Sequence, residues 1–165
     1  MPATDLILHK DDALRLEQLV TGLLRDSSAK MVVLVDRNGQ TITSAGDLSG
    51  VDQTSLASLT AGNVAATEGL AQIIGEQEFT ALFHEGRRDS LHLSTVGATG
   101  ILLVAFDERS SLGLVRLRVK KYTASLNRVF EEVAERTAAG VGQADVFGSP
   151  FAEITDEDIE NLFSD

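Results

Sequence analysis

Cysteine is absent from this 165-residue chain, which removes disulfides, thiolate nucleophiles and Cys-ligated zinc together and permits a reducing compartment. Basic residues are scarce: 14 Lys and Arg stand against 25 Asp and Glu, for a formal net charge of −11. Affinity for a phosphate backbone comes from Lys and Arg displacing counterions, so nucleic acid is not an expected partner. There is no Gly-x-x-x-x-Gly-Lys-Ser/Thr run to cradle a nucleotide phosphate and no Gly-x-Ser-x-Gly nucleophile elbow, which argues against a P-loop GTPase and a hydrolase of that type. Gly140 and Gly142 begin a Gly-x-Gly, but they follow a helical pattern and lack the third glycine of a dinucleotide fingerprint. Met1 to Lys10 has no cationic patch leading into an apolar run, so no signal peptide is read there and a cytoplasmic protein is expected.

What the chain does have is the balance of a globular domain, 43% hydrophobic and 24% charged residues, enough to bury a core. No Lys or Arg follows Arg136, and the stretch from Thr137 onward holds seven acids, which leaves the body with 18 acids and 14 bases, only −4. Residues 137–150 are rich in Gly, Ala, Ser and Pro with no helical or alternating pattern and read as a flexible linker. Residues 1–136 are then the domain, and 151–165 an acidic tail. Within that tail, Thr155 and Asp158 resemble a capping box, and Ile159, Leu162 and Phe163 share one helical face. So short a helix is not stable alone and should fold in a partner's groove.

Along the body, Leu16, Leu19, Val20, Leu23 and Leu24 mark a first helix with Asp11 or Asp12 as N-cap. Met31 to Asp36 and Thr41 to Ala45 flank Asn38-Gly39, which predicts a hairpin with a type I′ turn. Gln53 to Ile74 reads as the second helix. Strands follow at Phe79 to Glu85, Ser90 to Val96 and Ile101 to Asp107 as an antiparallel meander. Val115, Val119, Tyr122, Leu126, Val129 and Val133 repeat at spacings of four and three and give a last helix. The order is αββαβββα, an α+β sandwich.

The second helix is the most informative element. If Leu59, Asn63, Ala66, Leu70 and Ile73 define its core face, then Ala57, Ala61, Ala65 and Gly69 lie on the other side, where a surface helix carries charge. Glu68 is the only charged residue from Gln53 to Gly75. Nine of those 23 residues are polar, too many for a membrane span. A small-residue face of this kind suits close approach by another backbone, in a dimer or a partner complex, or by another element of the same chain.

Three stretches carry a family resemblance: Ser55-Leu56-Ala57-Ser58-Leu59-Thr60-Ala61-Gly62-Asn63-Val64-Ala65-Ala66, then Ser110-Ser111-Leu112-Gly113-Leu114-Val115-Arg116, and Gly148-Ser149-Pro150-Phe151-Ala152-Glu153-Ile154. Together they resemble the MglB type of the Roadblock/dynein-light-chain family. That resemblance implies a five-stranded antiparallel sheet with helices on both faces and a homodimer joined across sheet edges, with the two second helices side by side. It implies as partner a small Ras-like GTPase of the MglA type, docked on the paired helices. The dimer would accelerate GTP hydrolysis by rearranging the partner's own groups, without catalytic residues or a cofactor of its own, in a system setting cell polarity and gliding motility and concentrated at a cell pole.

The residues expected at the partner surface are Ala57, Ala61, Ala65, Glu68, Gly69 and Gln72, with Phe151, Ile154, Ile159, Leu162 and Phe163 from the tail. Those expected at the dimer edge are Phe79, Ala81, Phe83 and Glu85. Arg37 and Arg109, both in loops, are the candidates for an arginine finger, with a solvated turn residue as the competing reading. His84 and His92 on neighbouring strands are a sparse set for a metal or a general base. Arg116, Arg118, Lys120 and Lys121 form a basic cluster suited to solubility, to docking of the acidic tail, or to an anionic lipid. The competing class is a Roadblock scaffold that recruits a partner without changing its GTP hydrolysis.

Overall fold

The computed structural model describes residues 7–147. The element order is α1 (Lys10–Asp26), β1 (Met31–Asp36), β2 (Thr41–Gly46), α2 (Gln53–Ile74), β3 (Ala81–His84), β4 (Ser90–Val96), β5 (Gly100–Phe106) and α3 (Leu112–Phe147). The strands form one sheet in the order β2-β1-β5-β4-β3, and every neighbouring pair is antiparallel.

Alternation along the central strands sorts their side chains into two cores, as the period of two requires. Val32, Leu34, Val96, Leu102, Val104 and Phe106 face α1 and α3, meeting Leu16, Val20 and Leu23 from the first helix and Val115, Val119, Leu126 and Val133 from the last. Met31, Val33, Val35, Leu93, Ile101, Leu103 and Ala105 face α2. Because β1 and β5 are covered on both sides, they are continuous apolar runs.

Several boundaries differ from the sequence expectation. Helix α1 begins two or three residues earlier: its N-cap is His9, and Asp12, one of the two expected caps, instead accepts a 3.0 Å hydrogen bond from the His9 backbone N–H. The β1–β2 hairpin forms, but its turn is not type I′. Gly39 has φ +84°, whereas Asn38 is not among the positive-φ residues, and the register shifts at Leu34/Val35. Asp36 explains the difference: its carboxylate accepts from the N–H of both Asn38 and Gln40 at 2.9 Å, holding a longer turn with the glycine in the left-handed position. Strand β3 is shorter than expected, so Phe79 and Glu85 flank it rather than belong to it.

Helix α3 continues to Phe147, so residues 137–147, expected as linker, are helical. Ala138, Ala139 and Ala144 favour helix, and the two glycines cost only about 1 kcal/mol each against Ala, too little to stop a helix that has already propagated. The first proline after α3 begins is Pro150. Asn127 lies against Gly97 of the β4–β5 turn, and Val129, Phe130 and Val133 beyond it are still in the core.

Candidate partner-binding surface

Helix α2 is anchored at both ends. The Asp52 carboxylate accepts from the Ser55 backbone N–H at 3.2 Å and from the Ser55 hydroxyl at 2.7 Å, filling orphan donors of the first turn. Gly75 closes the other end in the left-handed conformation with φ +78°, a position where glycine carries no Cβ penalty.

The face that α2 turns to the sheet is the reverse of the one expected. Ala57, Thr60, Val64 and Ala71 are buried, while Leu59 is 74% exposed, Leu70 59%, Ile73 82% and Ile74 66%. Small side chains let the helix lie close on the strands. The Thr60 hydroxyl, which would otherwise be a buried polar cost, donates to the Leu56 carbonyl at 2.7 Å. Two faces of α2 are apolar, and size decides between them: the small one packs in the subunit and the large one is left outside. Leu59, Leu70 and Ile73 are therefore surface residues where sequence reasoning places a core; the spacing of Ala57, Thr60, Val64 and Ala71 is the signal that could have found them.

The four-residue stripe expected at the partner surface is split by helix geometry. A step of four advances the helix by about 400°, a drift of about 40° per step. Accordingly Ala57 is buried, Ala61 is half-buried, and Ala65 and Gly69 are exposed. Glu68 and Gln72 are also exposed. Glu68 is ion-paired with Arg37 from the β1–β2 turn, and Arg37 also donates to the Gly97 carbonyl at 3.3 Å. Gly39 of the same turn sits so near α2 that a Cβ there would stand 3.1 Å from the Ser58 Cα, which ties the hairpin to the start of the helix.

Strand β3 is hydrogen-bonded to β4 alone, leaving its other edge open among the described residues. Ala81 and Glu85 are exposed; Phe79 and Phe83 are each 37% exposed, and the Phe83 ring stacks on Phe106 with centroids 6.2 Å apart. This edge adjoins α2. Asn63 Nδ2 is 3.4 Å from His84 Nε2, and a cleft of about 10 Å³, room for one water, lies between Val64 and Thr67 on one side and Phe79, Ala81 and Leu82 on the other. The bare face of α2 and the open edge of β3 are thus one continuous surface.

Other expected sites resolve differently. Phe83 pairs with His92 and His84 with Leu91, so the two histidines project from opposite sheet faces and cannot share a ligand. His92 is 3% exposed, and its pKa is lowered, first by burial and then by the charge of Arg116. No group of three or more metal-binding side chains occurs among the described residues. Arg109 is paired through its Nη2 with Asp107 at 3.0 Å. The tail anchors Phe151, Ile154, Ile159, Leu162 and Phe163 lie outside the described residues. Among the described residues no helix is long and apolar enough to cross a membrane.

The comparisons with known proteins agree with this architecture. Residues 15–106 match the Roadblock/LC7 domain. The structure is similar to Myxococcus xanthus MglB, with 51% identity, a TM-score of 0.73, and 78% of this chain and 96% of that one covered. It is also similar to a gliding protein, MglB, from Thermus thermophilus, at 33% identity and a TM-score of 0.72 over 78% of this chain and 97% of that one. A third solved structure, of MglB in a tetrameric arrangement, matches at 32% identity and a TM-score of 0.74 over 78% and 97% of the two chains. Comparison with curated protein sequences gives no significant match. A Roadblock match over more than half the chain, with MglB structures alike in sequence and in fold, makes this chain a member of the Roadblock/LC7 family.

Proposed function

We propose that the protein is a GTPase-activating regulator of a small Ras-like GTPase of the MglA type. It works as a cytoplasmic homodimer, concentrated at a cell pole, in the control of polarity and gliding motility. The observation that carries this reading is the charge-poor outer face of α2, with Leu59, Leu70, Ile73 and Ile74 in solvent beside an open strand edge. Such a patch marks a protein interface.

At about 100° per residue, the surface divides in two. The flank toward β3, with Leu59, Asn63, Leu70 and Ile74, meets the same flank of a second copy when two β3 edges pair antiparallel. The outer flank, with Ala65, Gly69, Gln72 and Ile73, then faces the GTPase. The tail anchors reach a second surface of the bound partner, and the linkage raises affinity through effective concentration. The likeness to the Myxococcus protein, over 78% of this chain, supports this reading over a scaffold that leaves hydrolysis unchanged.

The test is single-turnover GTP hydrolysis by an MglA-type GTPase with and without the protein, together with sedimentation of the protein alone at micromolar concentration. Accelerated hydrolysis and a dimer are expected. Binding without acceleration would establish the scaffold instead, and a monomer would remove the paired-helix surface.

A further inference from the structure

Helix α3 carries a basic face that the proposed function does not use. No Asp or Glu lies between Glu108 and Glu131, while Arg109, Arg116, Arg118, Lys120, Lys121 and Arg128 all do. Six of the 14 basic residues make an ion pair among the described residues, and none of Arg116, Arg118, Lys120, Lys121 and Arg128 is one of them. Lys120, Lys121 and Arg128 are exposed, and one turn before Lys121 Leu117 stands 63% in solvent. In a chain of net charge −11, an unpaired cationic helix face with an exposed leucine at its far end calls for an anionic occupant with apolar side chains.

The chain itself contains one. Phe151 to Asp165 holds Glu153, Asp156, Glu157, Asp158, Glu160 and Asp165 with no base, interleaved with Ile159, Leu162 and Phe163. Reach decides how it can lie. From Phe147 back to Arg128 is about 28 Å along the helix, to Lys120 about 40 Å and to Leu117 about 45 Å, at 1.5 Å per residue. An extended chain advances about 3.3 Å per residue, so Asp156 can stand about 30 Å, Glu160 about 43 Å and Leu162 about 50 Å from Phe147. The acids therefore come level with Arg128 and then Lys120 and Lys121, and the apolar pair comes level with Leu117. As a helix the segment is too short to make the return.

We infer that the acidic segment 151–165 folds back in extended form along the basic face of its own α3, acids on Arg128, Lys120 and Lys121 and Leu162 or Phe163 on Leu117. Residence on the same chain supplies the high effective concentration that weak exposed pairs need. Because the pairs are exposed, salt releases the segment. The docked form is extended whereas a partner's groove would take a helix, so the two states exclude each other. This inference does not depend on the GTPase reading, since it concerns the free protein.

The absence of native cysteine permits clean labelling of the full chain at Gly113→Cys, where an added side chain meets open space, and at Ser164→Cys. Energy transfer between the labels is measured in doubly labelled protein diluted into excess unlabelled protein. The expected separation is about 15 Å when docked, against about 50 Å from Gly113 to the end of α3 alone. Transfer should be high at about 20 mM NaCl and fall severalfold at about 0.5 M, where the screening length is much shorter. It should fall likewise in Lys120→Glu/Lys121→Glu and recover when Glu157→Lys/Glu160→Lys is added to that variant. Weak transfer indifferent to salt and to the lysine changes overturns the inference. Transfer that vanishes on dilution assigns the segment to a neighbouring copy and overturns the fold-back. Sedimentation with phosphatidylserine vesicles that depends on Lys120 and Lys121, with transfer weak throughout, gives the face to a membrane and overturns it too.

Discussion

Arg37 bridges three elements: from the β1–β2 turn it is ion-paired with Glu68 on α2 and donates to the Gly97 carbonyl of the β4–β5 turn. Its side chain is 27% exposed and committed within its own subunit. Arg109, the other loop arginine considered as a finger, is held by Asp107.

The first expectation is that neither arginine acts in trans. Removing an arginine finger costs on the order of 10³ or more in rate, whereas removing a rim contact mainly weakens association. Arg37→Ala and Arg109→Ala should keep the maximal stimulated GTPase rate within about threefold at saturation, with any loss appearing in the concentration needed. A thousandfold drop in that rate with binding intact would make the protein a direct catalyst.

The second concerns the clasp between the first and last helices. Asp12 is 3% exposed and paired with Arg136; that guanidinium, opposed by burial and helped by the His9 N–H, holds its carboxyl below the usual carboxylate range. A group with a depressed folded pKa contributes stability above its unfolded pKa and loses it as the pH falls through the folded one. Asp12→Asn should therefore lower stability at pH 7 by about 1–2 kcal/mol in urea unfolding, the figure being modest because the Arg136 end is solvated. The gap from the unmodified chain should narrow as the pH falls below about 4, the unfolded carboxylate range. A constant gap would place the effect in packing.

The third returns to α2. Ala65 and Gly69 are exposed, and a Cβ on Gly69 meets nothing within 4 Å. Ala65→Arg and Gly69→Arg should fold, with Gly69→Arg gaining up to about 1 kcal/mol from helix propensity, and should reduce GTPase binding at least about tenfold, since each puts a long charged side chain where close approach is needed. Normal stimulation by both folded variants would move the docking site off this flank.

The fourth is a pH effect of opposite origin. His92 is a base with a lowered pKa, so the unfolded chain takes up its proton first as the pH falls through the ordinary histidine range, and stability declines across that window. Val104 and Phe83 flank it across the strands, and Arg116 is the charge that opposes its protonation. Unfolding free energies from about pH 7.5 to about 5.5, a span that brackets the unfolded imidazole, should fall in the unmodified protein and fall less in His92→Leu. Equal slopes would show that the imidazole does not govern this window.

Much of the fold is legible in the sequence because the decisive signals are local. Val32 to Val35 and Ile101 to Phe106 are apolar runs bounded by turns, and the periodicity of Val115 to Val133 is long enough to specify a helix by itself. The orientation of α2 is not legible in the same way, because both of its faces are apolar and periodicity alone treats leucine and alanine faces alike. What separates them is the space between helix and sheet, a tertiary quantity. The turn at Asn38-Gly39 departs from expectation for a related reason: the Asp36 carboxylate, two residues away, outweighs the preference of the dipeptide. The candidate surface therefore lies on the expected helix and edge, with part of its residue set rotated around the axis.

The winding of the Ala57, Ala61, Ala65 and Gly69 stripe around α2 has a bearing on sequence variation. Evenly spaced positions that look equivalent pass from interior to exterior along the helix, so the penalty for a bulky substitution should decline steadily from one to the next. Folding restricts what position 57 can become; under the proposed function, recognition restricts what position 69 can become. Ala61, between them, answers to both, and a change there would be the hardest to assign from a phenotype alone.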